Sequence, residues 1–219
     1  MFEKTLYLVR HAQPDTPAGE QLCLGQTLDL PLSASGLSQA RALGRFFCGL
    51  GVEAVYTSPL LRARQTAACI AGDAAAPRVL DSLIELSGGE WDGLSFDLIR
   101  ARYPEYFGPS PRRSCPPGGE SDAQGLARAR AALAYVAQRT DRCAVMVAHA
   151  GLNRLLLCAL LGRPLDEKKR IPQGYAAVNT LRYVEGAWHV LQVDGGPARP
   201  SELAAEGVPG PAGGGEARE

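Results

Sequence analysis

The chain has 219 residues, 46% hydrophobic and 21% charged, enough for one ordinary globular domain with a short tail. Its 23 basic and 23 acidic residues cancel, which leaves no electrostatic footprint for nucleic acid or an anionic membrane surface. No run reaches the roughly 18–20 apolar residues that would span a bilayer.

The first apolar run, TLYLV at 5–9, has the composition of a strand buried on both faces. It stops at Arg10 and His11, too early for the apolar core of a signal peptide. Residues 35–50 place apolar side chains three and four apart, the spacing of a helix with one buried face. A second strand is expected over 52–58, followed by a helix over 60–71 capped by Ser58 with Pro59 in its first turn. Residues 88–119 are rich in Pro and Gly, with one short helix over 95–103, and read as a rim or lid. An alanine-rich helix over 121–139 leads to a third strand, CAVMVA at 143–148, and an apolar helix over 152–161 ended by Gly162. Residues 176–183 and 187–193, joined by Glu185-Gly186, form a closing hairpin. The domain is therefore expected over 1–194, and the Gly/Pro/Ala-rich remainder, 195–219, as a flexible tail. Strands alternating with helices predict a mostly parallel sheet covered on both faces.

Six cysteines, Cys23, Cys48, Cys69, Cys115, Cys143 and Cys158, are never two to four apart, so zinc ribbons and CxxC redox pairs are excluded. They read as scattered buried thiols of a reducing compartment, the cytoplasm by default. There is no GxxxxGK[ST] loop, GxSxG elbow or HExxH motif.

Two of the three histidines share an address, for His11 and His149 each follow a buried strand. In open parallel sheets ligands bind beyond the carboxyl ends of the strands, so the two rings are candidates to converge on one pocket. A lone histidine reads as a satisfied core residue, and His189, in a polar-apolar alternation, keeps that reading. Arg10 adds a planar fork for phosphate oxygens. Ala150 and Gly151 offer backbone N–H groups at a helix start. Arg62 and Arg64 begin the helix after the second strand; two apart, at most one can face the pocket. For a proton donor the candidates are Glu85, Glu90 and Asp92, between which spacing does not choose.

With these residues in view, LYLVRHAQP resembles the signature of the histidine phosphatase (phosphoglycerate-mutase-like) superfamily, with Ala12 where glycine is commoner. GQTLDLPLSASGLSQARAL, YTSPLLRARQTA, LIELSGGEWDGLS, PPGGES and VMVAHAGLNRLL resemble further segments of that family, in its order, over roughly 5–165. The resemblance implies a three-layer α/β/α sandwich with a mostly parallel central sheet. It implies that His11 is the nucleophile, that Arg10, Arg62 and His149 hold the phosphoryl group, with His149 adding to the charge balance if protonated, and that Glu85 protonates the leaving group. Ala150, Gln13, Gln26 and Thr27 fall in the substrate lining, although Gln13 stands where many relatives carry Glu. Neither metal nor cofactor is implied, and the partner is a small phosphomonoester.

The activity so implied is that of a phosphoric monoester hydrolase working through a phosphohistidine. VAHAG and GQTLDLPLS resemble the α-ribazole-5′-phosphate phosphatase branch and also sugar-phosphate phosphatases. A phosphoglycerate mutase and a non-catalytic phosphate-binding module are the alternatives. Because His11 must be free of a proton and Glu85 must carry one, the expected pH profile is bell-shaped or acid-leaning.

Overall fold

The computed structural model of the chain describes residues 3–17, 20–73, 75–107 and 115–195. Six strands form one sheet: β1 (Lys4–Arg10), β2 (Ala54–Thr57), β3 (Arg78–Val79), β4 (Cys143–Ala148), β5 (Val178–Val184) and β6 (Ala187–Gly195), ordered β3-β2-β4-β1-β5-β6. The pairs β1–β4, β4–β2 and β2–β3 are parallel, whereas β5 runs antiparallel to both β1 and β6. The sheet is thus mixed, its antiparallel part being the expected hairpin. The two-residue β3 escapes the sequence reading because its pairing is too short to leave a periodic pattern.

Side-chain alternation along the central strands builds two cores. Leu6, Leu8, Met146 and Leu181 face one side and join Leu133, Leu152 and Leu156 from helices α4 (Asp122–Gln138) and α5 (Ala150–Leu160). Tyr7, Val9, Val145 and Val147 face the other and meet α1 (Ala34–Phe47) and α2 (Leu61–Ala71) through Leu43, Phe47, Ala63, Ala67 and Ile70. Burial on both faces explains the unbroken apolar runs in β1 and β4.

Ser33 caps α1, and Ser121 with Gln124 forms a capping box on α4. Gly162, at a positive φ of 65°, follows α5 as expected. Helix α3 (Phe96–Arg102) occupies the Pro/Gly-rich region, whose middle, 108–114, lies outside the described residues. The described flank joins the 20–28 loop through the Cys23 N–H on the Leu94 carbonyl at 2.9 Å. Gly195, placed in the tail by composition, instead pairs with Val178; the rest of the expected tail lies outside the described residues.

The cysteines depart from expectation in one respect. All six are free, but only Cys143 and Cys158 are buried, and Cys48 is exposed. Burial pushes the Cys143 thiol up to about 11, which keeps it protonated and inert. Among the described residues no helix is long and apolar enough to cross a membrane.

Candidate active site

Strand register brings the two histidines together. Arg10 is the register partner of Ala148, so His11 and His149 are the next residues at neighbouring carboxyl ends, and the His11 N–H reaches the Ala148 carbonyl at 2.9 Å. The ring centroids lie 5.0 Å apart. The order β2-β4-β1 explains why: the chain leaves β1, crosses over β4 to β2, and returns later to fill the gap. Both rings are buried, 3% and 0% exposed, against charge rather than hydrocarbon.

His11 Nδ1 lies 2.8 Å from the Ala12 carbonyl, so it carries the proton and leaves Nε2 with a free lone pair. Burial, then Arg62 and then Arg10, hold its pKa well below the ordinary 6.5. The ring is a neutral base at neutral pH.

The charge state of His149 follows from its surroundings. Burial, followed by His11 and the cations Arg62, Arg10 and Arg128, lowers its pKa well below 6.5, so in the absence of an anion it is neutral rather than an imidazolium. Its Nε2 lies 2.7 Å from Ser58 Oγ, which in turn accepts the Leu60 N–H at 3.3 Å. The Ser58 hydroxyl can donate to Nε2 or accept from it, and Nδ1 has no partner among the described residues. Ser58 is not the cap of α2, whose cap residue is Leu60 without a side-chain bond. A serine before Pro59 carries the local signature of a helix start, so nothing in the chain order discloses this partner 91 positions away.

The arginines are held by carbonyls. Arg62, 1% exposed, donates through Nη1 to Leu28 O at 2.8 Å and through Nη2 to Gly25 O at 2.9 Å. Arg10 donates through Nη1 to Gln173 O at 2.6 Å, and its guanidinium lies 3.9 Å from the centroid of the Tyr175 ring. Burial lowers the pKa of both, while Glu85 opposes that shift in each; arginine starts so high that both stay charged. Arg64 is exposed, as the two-residue spacing requires, and so is His189. Tyr175 went unnoticed in the sequence. It precedes Ala176, which takes a positive φ of 59°, and a lone aromatic before Ala-Ala gives no sign of such a turn.

Glu85 separates from its rivals. Leu86 N–H and Leu152 N–H donate to its Oε1 at 2.9 and 3.2 Å, and Gly151 N–H donates to Oε2 at 3.2 Å. The start of α5 thus holds a carboxylate of the chain itself, and Ala150, its first residue, is followed by two N–H groups already engaged. Gly151 lets the carboxylate approach closely, since a Cβ would stand 2.7 Å from Glu85 Oε1 and displace it. Asp92 braces a loop instead: its oxygens accept Gly88 N–H at 2.9 Å and Gln26 N–H at 3.1 Å. That packing needs Gly25, whose φ is +48° and whose absent Cβ would overlap Asp92 Oδ1. Glu90 is exposed and accepts the Tyr103 hydroxyl at 2.9 Å.

The remaining lining residues are only partly engaged. Gln26 donates one side-chain N–H to the Glu85 carbonyl at 2.7 Å, which ties it to the loop of the acid. Thr27 is exposed, and Gln13 is half-buried with its N–H on Gln39 Oε1 at 3.0 Å. Among the described residues, Arg10 Nε, Arg62 Nε and His149 Nδ1 are buried nitrogens without a hydrogen-bond partner. Unpaired buried polar groups are costly, and Arg10, Arg62 and His149 all stand close enough to His11 to act on its ring, a surrounding suited to an anion.

Residues 6–194 match the family model of the histidine phosphatase superfamily, branch 1. The chain belongs to that superfamily. It is 34% identical over 169 residues to phosphoserine phosphatase 1 of Hydrogenobacter thermophilus, covering 74% of this chain and 78% of that one. It is 32% identical over 174 residues to the glucosyl-3-phosphoglycerate phosphatase of Mycolicibacterium vanbaalenii, with 74% and 76% covered. The solved structure of Bacillus stearothermophilus YhfR superposes with a TM-score of 0.79 at 28% identity, covering 90% of this chain and 98% of that one. The fold is phosphoglycerate-mutase-like, and the protein is an enzyme of the phosphoric monoester hydrolase class.

The two buried imidazoles have a consequence for stability. Each has a folded pKa below its unfolded value, so above about pH 6.5 both states are neutral and no stability is lost. As pH falls below that, the unfolded chain takes up protons that the fold refuses, at about 1.4 kcal/mol per pH unit for each ring. The melting temperature should therefore drop below pH 6.5 without substrate, and His11→Asn should lose about half of this extra slope. An identical pH dependence in variant and parent would refute the assignment.

Proposed function

We propose that the chain hydrolyses a small phosphomonoester without a metal, through a phosphohistidine on His11. The observation that supports this best is that Arg10, Arg62 and His149, each with an unpartnered buried nitrogen, surround an imidazole held neutral. Such donors balance the charge on the equatorial phosphoryl oxygens, the part a cation plays in other sites.

His11 Nε2 attacks phosphorus in line, forming an N–P bond as the P–O bond to the leaving group breaks. The electron pair stays on the leaving oxygen, which takes a proton from Glu85. Oε2 is the oxygen suited to carry that proton, because it receives one backbone N–H where Oε1 receives two. The carboxylate then takes a proton from the water that attacks phosphorus, and the N–P electrons return to Nε2. His149 is neutral at rest, and the arriving dianion favours its protonation.

The substrate class follows from the relatives and from the sequence branch: phosphoserine, phosphoglycerate esters, α-ribazole-5′-phosphate and sugar phosphates form the panel to assay. The six free thiols suit a reducing, cytoplasmic setting. In the presence of EDTA, phosphate release from at least one of these esters is expected, with an acid-labile phosphoenzyme trapped by quenching. No turnover across the panel, with phosphate still bound, would make the chain a binding module. Faster transfer from 2,3-bisphosphoglycerate to 3-phosphoglycerate than to water would make it a mutase.

A further inference from the structure

The residues around Glu85 belong to no regular element, lying between single helical turns at Asp81–Leu83 and Gly89–Trp91. A proton donor must sit within a few tenths of an ångström of its mark, and an irregular loop does not provide that alone. Arg128, on α4, supplies what the loop lacks. Its Nη1 donates to Ser82 O at 2.9 Å and Ile84 O at 2.6 Å, and its Nη2 donates to Glu85 O at 3.4 Å. The other side of the guanidinium grips Glu120 in a fork, Nε to Oε1 at 3.0 Å and Nη2 to Oε2 at 2.6 Å. All five N–H directions are used.

Glu120 is itself fixed. It directly precedes Ser121, the cap of α4, and its N–H reaches Ser87 O at 2.9 Å, beyond the acid on the same loop. Two neighbouring contacts are so close that Gly89 and Gly119 cannot carry a side chain: a Cβ would come within 2.1 Å of Pro117 O and 2.7 Å of Ser87 O respectively. From the opposite side, Gln26 Nε2 donates to the Glu85 carbonyl at 2.7 Å.

We infer that Arg128, locked by Glu120, is the positioning residue for Glu85, gathering the carbonyls of Ser82, Ile84 and Glu85 itself so that the carboxyl meets the leaving oxygen. Glu120 pairs the charge of Arg128, whose hold on Glu85 is geometric. A lysine keeps the charge but lacks the planar fork, and it cannot hold the carboxylate and the carbonyls together. This inference rests on the acid role proposed for Glu85.

The test compares kcat/KM on two kinds of substrate. An aryl ester such as 2,4-dinitrophenyl phosphate expels a stable anion and needs no acid, whereas an alkyl phosphate does. Because kcat/KM reports only phosphoryl transfer to His11, the later hydrolysis step does not enter. In Arg128→Lys the alkyl kcat/KM should fall about 100-fold while the aryl value stays within about threefold. Inhibition by inorganic phosphate should be unchanged. Glu120→Gln should show the same selectivity, and it carries the test where Arg128→Lys does not fold. An equal loss on both substrates, as general destabilisation produces, overturns the inference, and so does no loss. A parent protein inert on both esters would instead bring down the phosphatase reading.

Discussion

His11→Ala is expected to reduce turnover by about 10⁴- to 10⁶-fold, the scale on which removing a covalent nucleophile acts. No phosphoenzyme should be trapped. The fold should survive, because the ring's one hydrogen bond runs to the carbonyl of the adjacent Ala12 and joins no distant elements. Ala12 is anchored separately, its N–H on Thr66 Oγ1 at 3.0 Å, and Thr66 donates to the Arg62 carbonyl at 2.7 Å. Arg10, Arg62 and His149 therefore keep their positions, and inorganic phosphate should still raise the melting temperature of the variant. Activity above a tenth of the parent's would place the nucleophile elsewhere.

Glu85→Gln should divide substrates by leaving group. For alkyl phosphates a general acid contributes about 10²- to 10⁴-fold, and that factor should vanish from kcat/KM. For dinitrophenyl phosphate the change should be small. A fold cost accompanies the substitution: Gln has one acceptor oxygen, while Leu86, Leu152 and Gly151 direct N–H groups at both carboxylate oxygens. One buried N–H then loses its acceptor, at about 1–3 kcal/mol, to be read as a lower melting temperature. A uniform loss on both ester classes would leave Glu85 a structural role only.

The two variants probe different halves of the same exchange. His11 must enter the reaction without a proton, and burial together with Arg62 and Arg10 keeps it so. Glu85 must enter with one, and its loop must hold the carboxyl at the leaving oxygen. The acid limb of the rate profile should consequently lie below the ordinary histidine range, because His11 resists protonation there.

The elements and the charged residues were legible in the chain order because each leaves a local trace. Two apolar runs ending in histidine, helices with three- and four-residue spacing, and a hairpin around Glu185-Gly186 all follow from interactions between near neighbours. The two-residue spacing likewise places Arg62 and Arg64 on different sides of α2, so that at most one faces the pocket, and the family resemblance selects Arg62. Long-range pairing decided the rest. Register between β1 and β4 brings His11 and His149 to one edge, and only that edge shows His149 to be a neutral ring fastened by Ser58. Spacing does not separate Glu85 from Glu90 and Asp92; the family resemblance does, and the packing of α5 shows the physical difference, since the Glu85 carboxylate meets Gly151 and Leu152 while Asp92 braces the Gly25–Gln26 loop. Arg128 and Tyr175 were invisible for the same reason: carbonyls from a loop over 40 positions away, or a turn at positive φ, leave no period in the amino-acid order. A protonation state depends on desolvation and on charges within a few ångströms, and those distances exist only once the chain has packed.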